Sequence, residues 1–238
     1  MNTSDTPCHV FDWGPCVGRL KISDEFHQKL VEESRASRTE EQLYSNKLAG
    51  IIKEEYFFRD KKIFLPYLAP LLGVYDEAVR NRYHDAEKRR KNPPEYFLTS
   101  LWVNFQKRHE FNPPHDHSGT LSFVIFLQVP PEITAEQKSY VGDGVGPGSL
   151  EFFYGEGNRQ AITSYLVPPV EKEMYIFPSW LKHYVAPFFS NVTRVSVSGN
   201  VADSVALNEF DSYAQEKKHT RYGYDPDNKK QVENFRNE

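Results

Sequence analysis

The stretch 112-NPPHDHSGTLSFVIFLQV-129 joins two histidines to a run of β-branched and aromatic residues that is typical of a β-strand. Side chains of residues i and i+2 share one face of a strand, so His115 and His117 can converge on one ion. Asp116 would then point the other way. If the extended conformation continues, the same parity predicts an apolar row facing the inside of a barrel: Leu121, Phe123, Ile125 and Leu127.

Similar short runs fill the chain after Pro93 and Pro94, and clusters of glycine and proline separate them. The runs cover residues 98–105, 120–129, 149–154, 161–167, 173–177, 181–187 and 192–201. Seven short strands in roughly a hundred residues predict a sandwich or jelly roll. The glycine-rich residues 131–148 between two of these runs indicate a long mobile connection, of the kind that often borders an active site.

The part of the chain before these runs has a helical pattern. Apolar residues recur at helical spacing at Phe26, Leu30 and Val31, again between Leu43 and Ile52, and beyond Pro66 and Pro70 at Val74, Ala78 and Tyr83. We therefore expect residues 1–95 to form a helical segment packed on a mainly β core of residues 96–206. Residues 207–238 form a polar tail, which could be a short helix, a partner-binding arm or disordered.

The composition narrows the class of protein. The chain has 238 residues, 39% of them hydrophobic, which is enough to close one substantial core. Its net charge of -4 and intermixed charges provide no basic face, so nucleic acid is not an expected partner. The first residues lack a secretory signal, and no stretch approaches the ~20 apolar residues of a membrane span. Cys8 and Cys16 form no CxxC pair. We expect a cytoplasmic protein without membrane contact.

A third metal ligand must come from another strand, and His183 is the only histidine within the later β-runs. Three ligands on one side of a metal leave up to three coordination positions open, as a bidentate co-substrate and O₂ require. His109 could line the pocket or belong to a plain loop. Four other histidines lie outside the β core and are not expected to be catalytic: His9, His27, His84 and His219.

The last run, 193-TRVSVSGN-200, alternates polar residues with valines. A barrel whose outer face packs on helices would turn the polar set inwards. Arg194 follows His183 by eleven residues, so both can reach one pocket from neighbouring strands. A guanidinium pairs with a carboxylate in bidentate fashion, and Ser196 can add a hydroxyl donor. The pair suits the distal carboxylate of a dicarboxylic keto acid. Trp102 and Asn104 share a face of an earlier strand and either line this pocket or simply pack.

Four segments of the β core resemble a known family. They are 112-NPPHDHSGTLS-122, 148-GSLEFFY-154, 176-IFPSWLKHYVAPF-188 and 194-RVSVSGN-200. The family comprises Fe(II)/2-oxoglutarate oxygenases related to prolyl 4-hydroxylases, found in marine bacteria and their phages. The resemblance covers about a hundred residues and leaves the N-terminal helices and the tail uncovered.

The resemblance implies a double-stranded β-helix, a cupin-like jelly roll, with His115, His117 and His183 binding Fe(II) and Arg194 with Ser196 binding 2-oxoglutarate. It implies that 2-oxoglutarate and O₂ are consumed to hydroxylate a substrate, with release of succinate and CO₂. The substrate could be an amino-acid side chain, a peptide, a nucleobase or a metabolite. A phage-encoded enzyme would work in the host cytoplasm, and the helical layer or the tail is available for a homodimer contact.

The site departs from the wider superfamily at one ligand, because His117 occupies the position where an aspartate is common. Three neutral imidazoles leave a charge of +2 on the metal centre, which favours a dianionic co-substrate, and they suit Zn, Cu, Ni and Fe alike. Asp116 could ligate instead if a bulge intervenes. Two alternatives remain open: a three-histidine cupin dioxygenase that uses no keto acid, and a non-catalytic metal-binding barrel. Arg194 argues for the keto acid.

Overall fold

A computed structural model of the protein describes residues 8–12, 14–82, 95–155 and 163–203. Within these residues the N-terminal part contains β1 (His9–Asp12), β2 (Cys16–Lys21), α1 (Asp24–Ala36), β3 (Glu55–Phe57) and α2 (Leu65–Arg82). The remainder contains β4 (Tyr96–Lys107), β5 (Asn112–His115), β6 (Leu121–Gln128), α3 (Pro131–Ser139), β7 (Leu150–Phe153), β8 (Ser164–Val167), β9 (Glu173–Pro178), β10 (His183–Val185) and β11 (Thr193–Asp203). Each of the seven predicted β-runs overlaps one of these strands.

The strands form two antiparallel sheets. The larger sheet has the order β1-β2-β9-β6-β11-β4-β3, and the smaller one has the order β5-β10-β7-β8. Aromatic and aliphatic side chains from both sheets meet between them, including Phe126 and Phe177 of the larger sheet and Leu150 and Phe152 of the smaller one. Because the two sheets enclose one interior, the core is a flattened barrel, the double-stranded β-helix.

Helices cover the other face of the larger sheet. Phe26 and Leu30 of α1 and Leu68 and Leu72 of α2 are buried against the sheet in one apolar cluster. The predicted apolar row of β6, Leu121, Phe123, Ile125 and Leu127, belongs to this cluster and not to the barrel interior. The prediction was wrong because alternation does not run on from His117: Gly119, at φ 105°, turns the chain before β6 begins.

The helical prediction holds for two of its three segments. The helix α1 begins after Ser23, whose Oγ accepts a hydrogen bond from the Phe26 amide at 3.2 Å. The helix α2 contains Pro66 in its first turn and Pro70 further in. The apolar spacing from Leu43 to Ile52 does not produce an α-helix, since this segment forms 3₁₀ turns and its Leu43 and Ile51 side chains are about half exposed. No helix among the described residues is long and apolar enough to cross a membrane.

The first 95 residues are not only helical, as the sequence had suggested. They supply β1, β2 and β3 to the larger sheet, where β2 pairs with β9 and β3 pairs with β4. A strand of three residues such as β3 is too short to show a period of two, which explains why the pattern did not reveal it. The predicted tail, residues 207–238, lies outside the described residues.

The predicted mobile connection of residues 131–148 contains the helix α3. Pro131 opens this helix, Glu132 lies in its first turn and Lys138 in its last, which are ordinary helix signals that the following glycines obscured. The helix is docked on the β core: Ile133 is fully buried, and the Glu136 carboxylate accepts hydrogen bonds from the amides of Phe189 and Ser190.

Candidate metal centre and co-substrate pocket

Three histidines come together where the smaller sheet meets the turns at one end of the barrel. His115 ends β5 and lies directly opposite His183, the first residue of β10. His117 follows β5, and its amide donates to the Ser179 carbonyl at 2.8 Å. The possible ligand atoms of the three side chains all lie within 4.8 Å of one another. The pairing of β5 with β10 and the hydrogen bond from His117 to Ser179 therefore bring the three imidazoles together.

Hydrogen bonds fix the orientation of two of these rings. His115 Nδ1 lies 2.7 Å from the Pro113 carbonyl oxygen, and His183 Nδ1 lies 3.0 Å from that of Leu181. A carbonyl only accepts, so each Nδ1 carries the proton and each Nε2 presents a lone pair. His117 Nε2 lies 3.2 Å from His183 Nε2. This spacing is close to the ~3 Å that two nitrogens take at right angles around one ion with bonds of about 2.1 Å.

The surroundings keep all three imidazoles neutral. Burial lowers the pKa of His115, and burial together with His115 lowers the pKa of His117 to about 3. Burial and both neighbouring histidines hold the pKa of His183 well below its ordinary value. Neutral imidazole is the form that binds a metal. Metal binding at neutral pH therefore does not require these histidines to release a proton.

Asp116 does not join the group. Its side chain is exposed, and the cluster of possible ligand atoms among the described residues consists of the three histidines alone. Asp116 instead lines an outer cleft beside His115 and His117. The register shift between β5 and β10, which lies within residues 112–115, does not bring its carboxylate into this group.

A narrow inner pocket extends from the histidines into the barrel. Its wall includes the inward-facing residues of β4 and β11, and those named by the sequence are among them: Trp102, Asn104, Arg194, Ser196 and Ser198. Ser196 lies opposite Asn104 on the neighbouring strand, and the Asn104 amide nitrogen lies 3.4 Å from its Oγ. His109 lies outside this wall, in a turn where its ring contacts Phe189.

Arg194 is the buried charge of this pocket. Only 3% of the residue is exposed, and no carboxylate among the described residues forms an ion pair with it. Its Nη1 donates to the Gly148 carbonyl, its guanidinium lies 5.5 Å above the Phe126 ring, and its Nε has no partner. Burial lowers the pKa of Arg194 to about 9, so the side chain remains a cation at neutral pH.

The donors and charges fit Fe(II) and 2-oxoglutarate. Three imidazole nitrogens on one side of an ion leave the opposite positions open for a chelating keto acid. A buried guanidinium with an unpartnered N–H is costly unless an anion pairs with it. The pocket thus offers a metal position at the histidines and a carboxylate position at Arg194.

A wider cleft of about 500 Å³ opens outside the histidines. Residues 44–49 form one side of it, and Thr99, Ser100, Asp116 and Asn200 contribute polar groups. None of its lining residues comes from 131–148, the segment that the sequence placed at the entrance. The helix α3 lies instead near Gly148, which contacts Arg194.

A double-stranded β-helix with three clustered imidazoles and a buried arginine has the donors that a non-haem metal oxygenase needs. Residues 100–200 match a family model described as "Putative 2OG-Fe(II) oxygenase". The β core is therefore similar to 2-oxoglutarate- and Fe(II)-dependent oxygenases, which indicates an enzyme of the hydroxylase type that uses Fe(II) and 2-oxoglutarate. No curated protein sequence matches the chain.

Solved structures share the fold at low sequence identity. A prolyl-4-hydroxylase from Pseudomonas putida has a TM-score of 0.51 and 15% identity, covering 79% of this chain and 92% of its own. A Trichoplax adhaerens prolyl hydroxylase, solved with a peptide of hypoxia inducible factor, has a TM-score of 0.50 and 10% identity, covering 83% and 87%. The epimerase SnoN of nogalamycin biosynthesis has a TM-score of 0.50 and 14% identity, covering 79% and 78%.

The sequence did not reveal the residues that reach the site from the N-terminal part. Ile52 lines the inner pocket, and Tyr44 and Lys47 line the outer cleft. They lie in irregular segments or turns, so periodicity gives no sign of the face to which they belong. Of the other histidines, His27 bonds the Leu127 carbonyl at 2.8 Å and ties α1 to the sheet. Only the backbone of His9 is described, and His84 and His219 lie outside the described residues.

Proposed function

We propose that His115, His117 and His183 bind the Fe(II) of this oxygenase, and that Arg194 and Ser196 bind the distal carboxylate of 2-oxoglutarate. The observation that carries the proposal is the buried, unpaired Arg194 in the same narrow pocket as three neutral imidazoles. An uncompensated cation in the interior destabilises the empty protein, and a dicarboxylate that reaches both the metal and the guanidinium removes that penalty.

When bound, iron supplies the activation of O₂ and the oxidation of 2-oxoglutarate to succinate and CO₂. The chain's own residues orient the co-substrate. Arg194 offers its unpartnered Nε–H to a carboxylate oxygen, and the Ser196 hydroxyl donates to the same group while its oxygen accepts from Asn104. The aromatic lining of the pocket, with Phe126 and Phe177, excludes water from the reacting groups.

We place the primary substrate in the outer cleft. It adjoins His115 and His117, and its walls expose a lysine, an aspartate, hydroxyl groups and an amide. Ser100 and Asn200 face each other across β4 and β11 in this cleft. The Ser100 Oγ is buried without a partner, whereas the Asn200 Oδ1 accepts from Ser122. Both can therefore donate hydrogen bonds, which suits a polar substrate that presents a carbonyl or carboxylate oxygen.

An anaerobic titration tests the ligand assignment. Fe(II) and 2-oxoglutarate added without O₂ should produce the weak visible charge-transfer band of the chelate. The His183→Ala variant should bind no stoichiometric iron and show no band, while His27→Ala, which removes a histidine outside the site, should retain both. Admission of O₂ should release succinate from the wild type. A protein that binds zinc tightly and gives no band with iron would contradict the proposal.

A further inference from the structure

Beside Asn104 of the inner pocket, on the neighbouring strand, lies a buried carboxylic acid that the proposed chemistry does not use. Glu55, the first residue of β3, lies directly opposite Asn104 of β4. Paired residues of neighbouring antiparallel strands point their side chains to the same side, with Cβ atoms about 5 Å apart. Both side chains are buried, with only 1% of Glu55 and 5% of Asn104 exposed.

The hydrogen bonds of this pair do not balance if Glu55 is ionised. The Asn104 amide nitrogen is directed at Ser196 and Ser198, with the Ser198 Oγ at 3.2 Å. The Asn104 Oδ1 is buried and has no donor, and the Glu55 Oε1 is buried and has none either. Two buried acceptors side by side leave both without a hydrogen bond, which is unfavourable. One proton on Glu55 converts this conflict into a hydrogen bond.

The next inward-facing pair of β4 and β11, Gln106 and Arg194, does not need such a proton. Gln106 lies opposite Arg194, so its unpartnered Oε1 acceptor lies beside a guanidinium, a group that only donates. The Gln106 amide nitrogen is already committed to the carbonyl oxygens of Glu110 and Ala186. The excess of acceptors is therefore located at Glu55 and Asn104.

Among the charged groups around Glu55, the neighbouring Glu110 acts in the same direction. Glu110, in the turn after β4, accepts from the amides of Lys107 and Lys53, and its carboxylate repels an ionised Glu55. Arg194 lies one residue pair further along the wall. Glu54, the adjacent carboxylate, forms ion pairs with Arg38 and Lys107 instead. Burial and, secondly, Glu110 raise the pKa of Glu55 to about 8.

We propose that Glu55 is a positioning residue for the co-substrate: its neutral carboxyl donates to the Asn104 Oδ1 and thereby fixes the amide that orients the Ser196 hydroxyl towards 2-oxoglutarate. The inference rests on the proposed function of Arg194 and Ser196. Ionisation of Glu55 removes the hydrogen bond and adds a negative charge beside a dianion. Both effects weaken the binding of 2-oxoglutarate as the pH rises through 8.

The test measures 2-oxoglutarate affinity by the anaerobic Fe(II) chelate band at pH 6.5 and 8.5. With half-ionisation near pH 8, the apparent Kd of the wild type should rise about fourfold between these values. Glu55→Gln keeps a neutral donor, so its Kd should change by less than about 1.5-fold between the two pH values. This small change would come from partial deprotonation of Arg194. Glu55→Ala should have nearly the same Kd at both pH values, about fivefold weaker than that of the wild type at pH 6.5, because one buried hydrogen bond is lost.

Glu54→Gln is the matched control, since it changes the adjacent carboxylate, which is bonded away from the pocket. It should retain the fourfold pH dependence of the wild type. A Glu55→Gln variant that is as pH-dependent as the wild type would overturn the inference while leaving the ligand assignment intact. A wild type without a chelate band, or a Kd unaffected by Arg194→Gln, would overturn the proposed function and this inference together.

Proton uptake provides a second measurement that needs no variant. At pH 8.5 most Glu55 is ionised in the free enzyme, so binding of 2-oxoglutarate should take up more than about half a proton, and almost none at pH 6.5. Calorimetry in two buffers of different ionisation enthalpy measures this number. Equal uptake at both pH values would contradict a neutral Glu55 in the complex.

Discussion

The outward face of β11 is buried throughout, whereas the inward face is buried at Arg194 and Ser196 and only half-buried at Ser198 and Asn200. The outward face consists of Val195, Val197, Gly199 and Val201, and its valines pack in the helix-covered cluster. The inward face consists of Arg194, Ser196, Ser198 and Asn200, and it borders the inner pocket and the outer cleft. Every outward side chain finds its contacts within the protein, whereas the Arg194 Nε finds none. The unpartnered donor of this strand therefore lies on the inward face.

The difference has an energetic meaning. Apolar burial on the outward face stabilises the folded state by about 25 cal/mol for each Å² removed from water. An unpaired buried cation on the inward face opposes folding. Close packing also limits the outward face: a Cβ on Gly199 would lie 2.5 Å from the Phe123 ring, which explains glycine between two valines. Substitutions on the two faces should therefore have separable effects.

The largest expected effect is on the inward face. Arg194→Gln should weaken 2-oxoglutarate binding by roughly 2–5 kcal/mol, about 30-fold or more, because a charged partner of the carboxylate is lost. Iron binding should be retained, and the ligand-free protein should be no less stable. The anaerobic band measures the affinity and chemical denaturation measures the stability. An unchanged affinity of this variant for 2-oxoglutarate would mean that another residue binds the distal carboxylate.

A smaller effect is expected on the outward face. Val197 is fully buried, and Val197→Ala should lower the free energy of unfolding by roughly 1.5–3 kcal/mol through lost apolar burial and the cavity left behind. The Kd for 2-oxoglutarate should stay the same in the folded variant. Urea unfolding with a parallel chelate titration makes the comparison. A change of affinity similar to that of Arg194→Gln would show that the two faces are not independent.

The smallest effect is expected at Asp116, which sharpens the assignment of the metal ligands. Asp116→Asn should leave the bound iron near one per chain, since the Asp116 side chain is exposed and outside the imidazole cluster. His117→Ala should lose most of the iron under the same conditions. Metal analysis after gel filtration distinguishes the two variants. Equal losses would show that Asp116 is a ligand.

Much of the site could be predicted because it depends on local alternation and on distance along neighbouring strands. The alternation in 193–200 placed Arg194 and Ser196 on the inward face, and the structure agrees. The alternation from His117 into β6 failed because Gly119 interrupts the extended chain. Alternation is reliable within a strand and not across a turn. The 3₁₀ turns between Leu43 and Ile52 show the same limit for helical spacing.

The sequence by itself determined the jelly-roll class, the three histidines and the buried arginine, because strand alternation and the types of these side chains carry that information. Only the tertiary structure decided what surrounds them. The edge strand β3 brings Glu55 opposite Asn104, and residues 44–49 form a side of the outer cleft, although both are far from the β core in sequence. Pairing between strands distant along the chain is set by the closure of the whole barrel, so no local pattern could have placed them there.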